Sequence, residues 1–219
     1  MPNYVFSLAH FCEIHGSSIV ICTQQNDSDL INSSASKLSS CASCELVLPN
    51  DAVNLVSSTN NGEKYVSTRY PSSQNVYTAY VKLVMKSLSV ETSADSSKPV
   101  FFGDVANGFC MSRVFRVQDV NSRGGERKYA LVMGCDEESH LLRNWDIVST
   151  YMAEIISAIQ RQVEKHLAEE AEQSNNVDNE RYLRRSKIRP KSLVELTNDT
   201  QIFVRFHLWA IELLRDVLS

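Results

Sequence analysis

Apolar side chains fall on both sides of the first segment of the chain. In Tyr4-Val-Phe-Ser-Leu-Ala-His-Phe-Cys12, Tyr4, Phe6 and Leu8 share one side, and Val5, Ala9 and Phe11 the other. A strand apolar on both faces belongs in the middle of a sheet covered by helices on both sides. Glu13 to Gly16 supplies a turn, and Ser18-Ile-Val-Ile-Cys-Thr23 reads as the partner strand of a hairpin. From Gln24 to about Gly62, Ser, Asn, Asp and Thr dominate, so residues 25–62 are expected to be an inserted, polar, flexible loop. Order returns at Lys64 to Pro71. A helix follows from about Ser73 to Leu88, with Val76, Tyr77, Tyr80, Val81, Val84, Met85 and Leu88 on one face at the 3.6-residue period.

After a second polar connector come Pro99 to Asp104, Gly108 to Asp119 and Arg127 to Cys135. They read as three strands joined by short turns, an antiparallel meander. A long helix is expected from Trp145 or Asp146 to about Glu172, burying Val148, Met152, Ile155, Ile159, Val163 and Leu167. Residues 173–191 form a charged linker that ends in a basic block, Arg181 to Lys191. The last helix, about Thr200 to Leu218, carries the stripe Ile202, Phe203, Phe206, Trp209, Ala210, Leu213, Leu214 and Val217, with Asp199 as its N-cap. No internal repeat is present. The pattern predicts one α/β domain of the α+β type: a five-stranded, largely antiparallel sheet with one helix on one face and two on the other.

Composition narrows the picture. At 219 residues the chain is one domain, and 43% hydrophobic residues support a real core. Twenty-two Lys and Arg against 26 Asp and Glu give a net charge of −4, which argues against a nucleic-acid binder. No apolar run is long enough to span a bilayer, and the N-terminus lacks the basic start of a secretory signal. Six cysteines are too sparse for a disulfide scaffold and fit a reducing, cytoplasmic setting.

Few motifs carry chemistry by themselves. Cys41-Ala-Ser-Cys44 is half of a zinc pattern, but structural zinc takes four ligands and no second pair is apparent, so reduced, exposed thiols and no metal are expected. Cys12 with His10 or His15 has the residue types of a nucleophile and base, yet no orienting acid accompanies them, and structural roles are expected. Phe101-Phe-Gly-Asp104 differs in order from the kinase Asp-Phe-Gly word, and no phosphate-binding Gly-rich loop is present. The basic block has the charge to meet an anionic membrane, but the acidic stretch before it favours a solvated linker.

Several words taken in order resemble the longin domain of the folliculin family. They are His10-Phe-Cys-Glu-Ile-His-Gly16, Lys64-Tyr-Val-Ser67, Lys86-Ser-Leu-Ser-Val-Glu91, Phe101-Phe-Gly-Asp104, Gly108-Phe109, Ser122-Arg-Gly124, Asn144-Trp145 and Ser192 to Asp199. The chain resembles the short fungal form, which ends where longer members continue into a C-terminal DENN-type domain. The resemblance implies a subunit of a heterodimeric GTPase-activating complex, not itself an enzyme. In that complex the subunit pairs with a folliculin-interacting-type protein, and the pair acts on a Rag-type GTPase heterodimer in amino-acid signalling to the TOR pathway. It implies no cofactor, and a cytoplasmic protein recruited to the vacuole or lysosome membrane through partners. It places the catalytic arginine finger at Arg123, in the loop between the last two strands; the residues themselves offer Arg127, on the same hairpin, as an alternative contact to the GTPase. On the residues alone, Arg127 is expected to pair with a surface carboxylate. Two other roles stand beside this one: a non-catalytic scaffold that recruits its partner, and a DENN-like exchange module for Rab-type GTPases.

Overall fold

The computed structural model describes residues 3–25, 41–59, 62–89, 97–174 and 191–219. Much of the polar loop, part of the second connector and nearly all of the basic block lie outside the described residues.

Strands β1 (Tyr4–Cys12), β2 (Gly16–Gln25), β3 (Leu55–Ser58), β4 (Lys64–Thr68), β5 (Val100–Asp104), β6 (Gly108–Gln118) and β7 (Glu126–Cys135) form one antiparallel sheet in the order β3-β4-β2-β1-β7-β6-β5. The α+β class and the β5-β6-β7 meander match expectation. Seven strands replace the expected five. β3 emerges inside the polar segment and β4 just after it; the two pair with each other, and β4 pairs in turn with the far end of β2. They were illegible because β3 is a four-residue edge strand whose alternation is diluted by serines.

β1 sits between β2 and β7, and its two-sided apolar pattern divides between two cores. Tyr4, Phe6 and Leu8 enter the larger core, under α2 (Glu138–Arg143), α3 (Trp145–Ser174), α4 (Leu193–Thr197) and α5 (Ile202–Leu218). Val5 and Ala9 enter the smaller one, under α1 (Gln74–Ser87). One helix thus covers one face and the two long ones the other, as the pattern predicted. Phe6 stacks on Phe206 of α5 at 5.4 Å between ring centroids. Each such buried ring contributes about 1.5–3 kcal/mol. On the opposite face Tyr80 of α1 lies so close to β7 that a Cβ at Gly134 would fall 2.6 Å from its ring.

Phe11 leaves this pattern and is exposed, because β1 runs beyond the helix cover there. On α1, Leu83 is buried while Met85 and Val76 face outward, a small rotation from the expected stripe. Asp199 does not cap α5 directly. It accepts the Gln201 N–H at 2.9 Å, one turn ahead of the helix. The β1–β2 ladder is regular except between Leu8 and Ala9, which face Ile21 and Ile19, so Val20 is an extra residue on β2. This bulge lets the adjacent Val20 and Ile21 both enter the larger core.

Candidate functional site

The loop between β6 and β7 is built by its own polar groups. Asp119 N–H donates to Gly125 O at 2.9 Å, and Ser122 N–H to Asp119 O at 2.9 Å. The Asp119 carboxylate accepts the Asn121 N–H at 2.9 Å, and Ser122 Oγ donates to Glu126 O at 2.8 Å. Gly124 and Gly125 take φ of +85° and +76°, a left-handed turn that a side chain would resist. Arg123 stands at the tip of this turn and is exposed.

Arg127 is placed differently. Its Nε lies 2.7 Å from Asp119 Oδ2, with the two side chains 6% and 0% exposed. The expected surface pair is therefore a buried one, and the guanidinium offered in the sequence reading as a second GTPase contact is committed inside its own hairpin. A charge in such surroundings is kept only with its partner, so the pair locks the base of the loop. The signal for it lay in the symmetric positions of Asp119 and Arg127 at either end of the turn.

A second turn faces the first. At the tip of the β1–β2 hairpin, Glu13 Oε1 accepts the Arg123 backbone N–H at 2.6 Å. Glu13 had no signal in the sequence beyond its place in a resembling word. Between the tips lies a groove of about 360 Å³, with Phe11, Glu13 and Ile14 on one wall and Asn121, Arg123 and Glu126 on the other. Phe11 and Ile14 are 50% and 65% exposed, so apolar surface lines the groove beside the arginine. This is a protein-docking composition rather than a small-molecule pocket.

The cysteines are not the exposed thiols expected. Cys12 and Cys44 are buried and Cys41 half-buried, and all six cysteines are free of disulfides. The structure brings Cys12, His15, Cys41 and Cys44 together, their ligand-type atoms all within 4.8 Å of one another. His10 pairs with Cys44 rather than Cys12, Nε2 to Sγ at 3.2 Å. Burial, helped by Arg127 and Arg69, pushes its imidazole down to about 3 and keeps it neutral. At Phe101 to Asp104, the Asp104 carboxylate only closes a turn, accepting the N–H groups of Ala106 and Asn107 at 2.9 and 2.8 Å.

Fold and site together define an α+β domain with an arginine exposed on a braced loop. Residues 63–217 match the family model described as "Folliculin: Vesicle coat protein involved in Golgi to plasma membrane transport", and the chain belongs to the folliculin family. It is 28% identical to Protein LST7 of Saccharomyces cerevisiae, over all of this chain and 98% of that protein. It is 33% identical to the Folliculin-like protein bhd1 of Schizosaccharomyces pombe over 55% of this chain, and 22% identical to Folliculin of Homo sapiens over 94%. The chain spans 37% of the length of bhd1 and 44% of that of human folliculin.

Proposed function

We propose that this chain is one subunit of a heterodimeric GTPase-activating complex that inserts Arg123 into the site of a Rag-type GTPase. Hydrolysis of GTP builds negative charge around the γ-phosphate. A guanidinium delivered from outside neutralises it and is worth roughly 10³–10⁵ in rate. The observation that carries this reading is the contrast on one hairpin: Arg127 is buried on Asp119, while Arg123 is exposed on a loop fixed from both sides. The planar fork of arginine suits the task better than lysine.

In this reading the second subunit is a folliculin-interacting-type protein. The pair works in amino-acid signalling to the TOR pathway, at the vacuole or lysosome surface. Attachment there runs through partners in this reading; no described helix is long and apolar enough to cross a membrane. The exposed Phe11 and Ile14 of the groove supply apolar contact area for the GTPase.

A single-turnover GTP hydrolysis assay with the assembled complex tests the proposal. Stimulated hydrolysis should disappear with Arg123→Ala while assembly is unaffected. Stimulation that survives the substitution leaves the scaffold role, and accelerated release of bound GDP instead indicates exchange.

A further inference from the structure

The segment that follows β2 comes back at Cys41 to the tip of the β1–β2 hairpin. Cys12 Sγ lies 3.5 Å from Cys41 Sγ, and Cys41 Sγ lies 3.6 Å from Cys44 Sγ. His15 Nδ1 is 3.6 Å from Cys12 Sγ, 3.6 Å from Cys41 Sγ and 3.5 Å from Cys44 Sγ. These atoms surround a common centre instead of forming a chain. Metal–ligand lengths of about 2.3 Å to sulfur and about 2.0–2.1 Å to nitrogen place tetrahedral ligands ~3.8 Å apart for S···S and ~3.5 Å for S···N. The separations lie near both values, and all far exceed the ~2.05 Å of a disulfide.

The surroundings carry a second, independent sign. Each sulfur has its own hydrogen-bonding group: Ile14 N–H donates to Cys12 Sγ at 3.4 Å, Ser43 Oγ lies 3.0 Å from Cys41 Sγ, and His10 Nε2 lies 3.2 Å from Cys44 Sγ. Each of these groups is able to donate, and one such group per sulfur suits the second shell of metal-bound thiolates. Gly16, directly after His15, has φ of +74° and carries the chain away from the cluster.

We propose that Cys12, His15, Cys41 and Cys44 form a structural zinc site. Three thiolates and an imidazole in tetrahedral array select zinc, and four protein ligands leave no open position for catalysis. The single Cys41-x-x-Cys44 left the pattern two ligands short, and the fold supplies Cys12 and His15 from across the hairpin. The metal cross-links positions 26 residues apart, His15 and Cys41. It also clamps the turn carrying Glu13 between two of its ligands, and Glu13 grips the Arg123 loop. That last link rests on the proposed role of Arg123; the metal site does not.

The full chain, purified under reducing conditions without chelator, should contain one zinc per chain by elemental analysis. Cobalt exchanged into it should give thiolate-to-metal charge-transfer absorption and the visible bands of a tetrahedral ion. Cys41→Ser with Cys44→Ser should lose the metal, and His15→Cys should keep it. Should the serine variant fail to fold, the wild-type chain still decides: chelation must expose Cys12, Cys41 and Cys44 to alkylation. The site is overturned by a metal-free wild-type chain that takes up neither zinc nor cobalt, by a Cys41–Cys44 disulfide in protein alkylated at lysis, or by alkylation that chelator does not change. Arg123→Ala must retain its zinc. A hydrolysis-inactive wild-type complex with full zinc would remove the proposed function and leave the metal site standing.

Discussion

Two turns meet at one end of the sheet, and they are held by different means. The β6–β7 loop is wired internally, through Asp119, Ser122 and the buried Arg127. The tip of the β1–β2 hairpin is held from outside, by side chains of the segment that returns at Cys41. The first arrangement keeps its shape wherever β6 and β7 pair. The second holds only while a distant stretch of chain stays docked. Arg123 sits where the two meet, its side chain set by the rigid loop and its backbone held by the conditional one. The presentation of Arg123 is therefore adjustable from outside the loop that carries it.

The largest expected effect separates the two arginines of the rigid loop. Arg123→Ala should lower stimulated GTP hydrolysis by about 10³-fold or more without shifting the unfolding midpoint, read by single-turnover kinetics beside urea denaturation. Arg127→Ala should do the reverse at the level of the fold. Leaving Asp119 buried and unpaired costs about 3–5 kcal/mol, visible in the urea midpoint at neutral pH. Equal stabilities for the two variants would erase the distinction drawn between them.

A third test works at the opposite edge and serves as a control. His207 of α5 bridges Ser57 and Ser67, with Nε2 at 2.9 Å and Nδ1 at 2.6 Å from their hydroxyl oxygens. Burial lowers its pKa from 6.5 to about 4. The unfolded chain therefore takes up a proton first. The His207 contribution is complete above pH 6.5 and declines by about 1.4 kcal/mol per pH unit between 6.5 and about 4. Denaturation from pH 7.5 to 5 should show this decline on top of the parallel one from His10, and His207→Gln should remove about half of the combined slope.

The smallest effect is the sharpest probe of the junction. Glu13→Gln removes the charge from one exposed hydrogen bond, worth about 1 kcal/mol, and should lower stimulated hydrolysis a few-fold with the global midpoint unchanged. An unaltered rate would mean that the outer turn does not steer the arginine.

Elements with a strong period were legible in the sequence. β1 could be placed at the centre because its two apolar sets demand two cores, and the α3 stripe from Val148 to Val163 is buried as its spacing requires. Short elements were not. α2 has six residues and α4 five, too few for a period to emerge. Even so, Ser192 and Glu195 make a capping box that marks the start of α4. At the site, Arg123 was found through resemblance, whereas the burial of Arg127 depends on packing that a hairpin pattern does not contain. The assembly of Cys12, His15, Cys41 and Cys44 was hidden because its halves are separated by a long polar stretch, and periodicity says nothing about where such a stretch returns.

The extra residue on β2 bears on how the outer turn finds its neighbours. Because Val20 has no counterpart on β1, its removal would leave Leu8 with Ile21 and Ala9 with Ile19 while taking out the bend between them. The ladder would survive and the hairpin would point elsewhere. A single position halfway along the strand thus acts as the elbow that aims its fingertip.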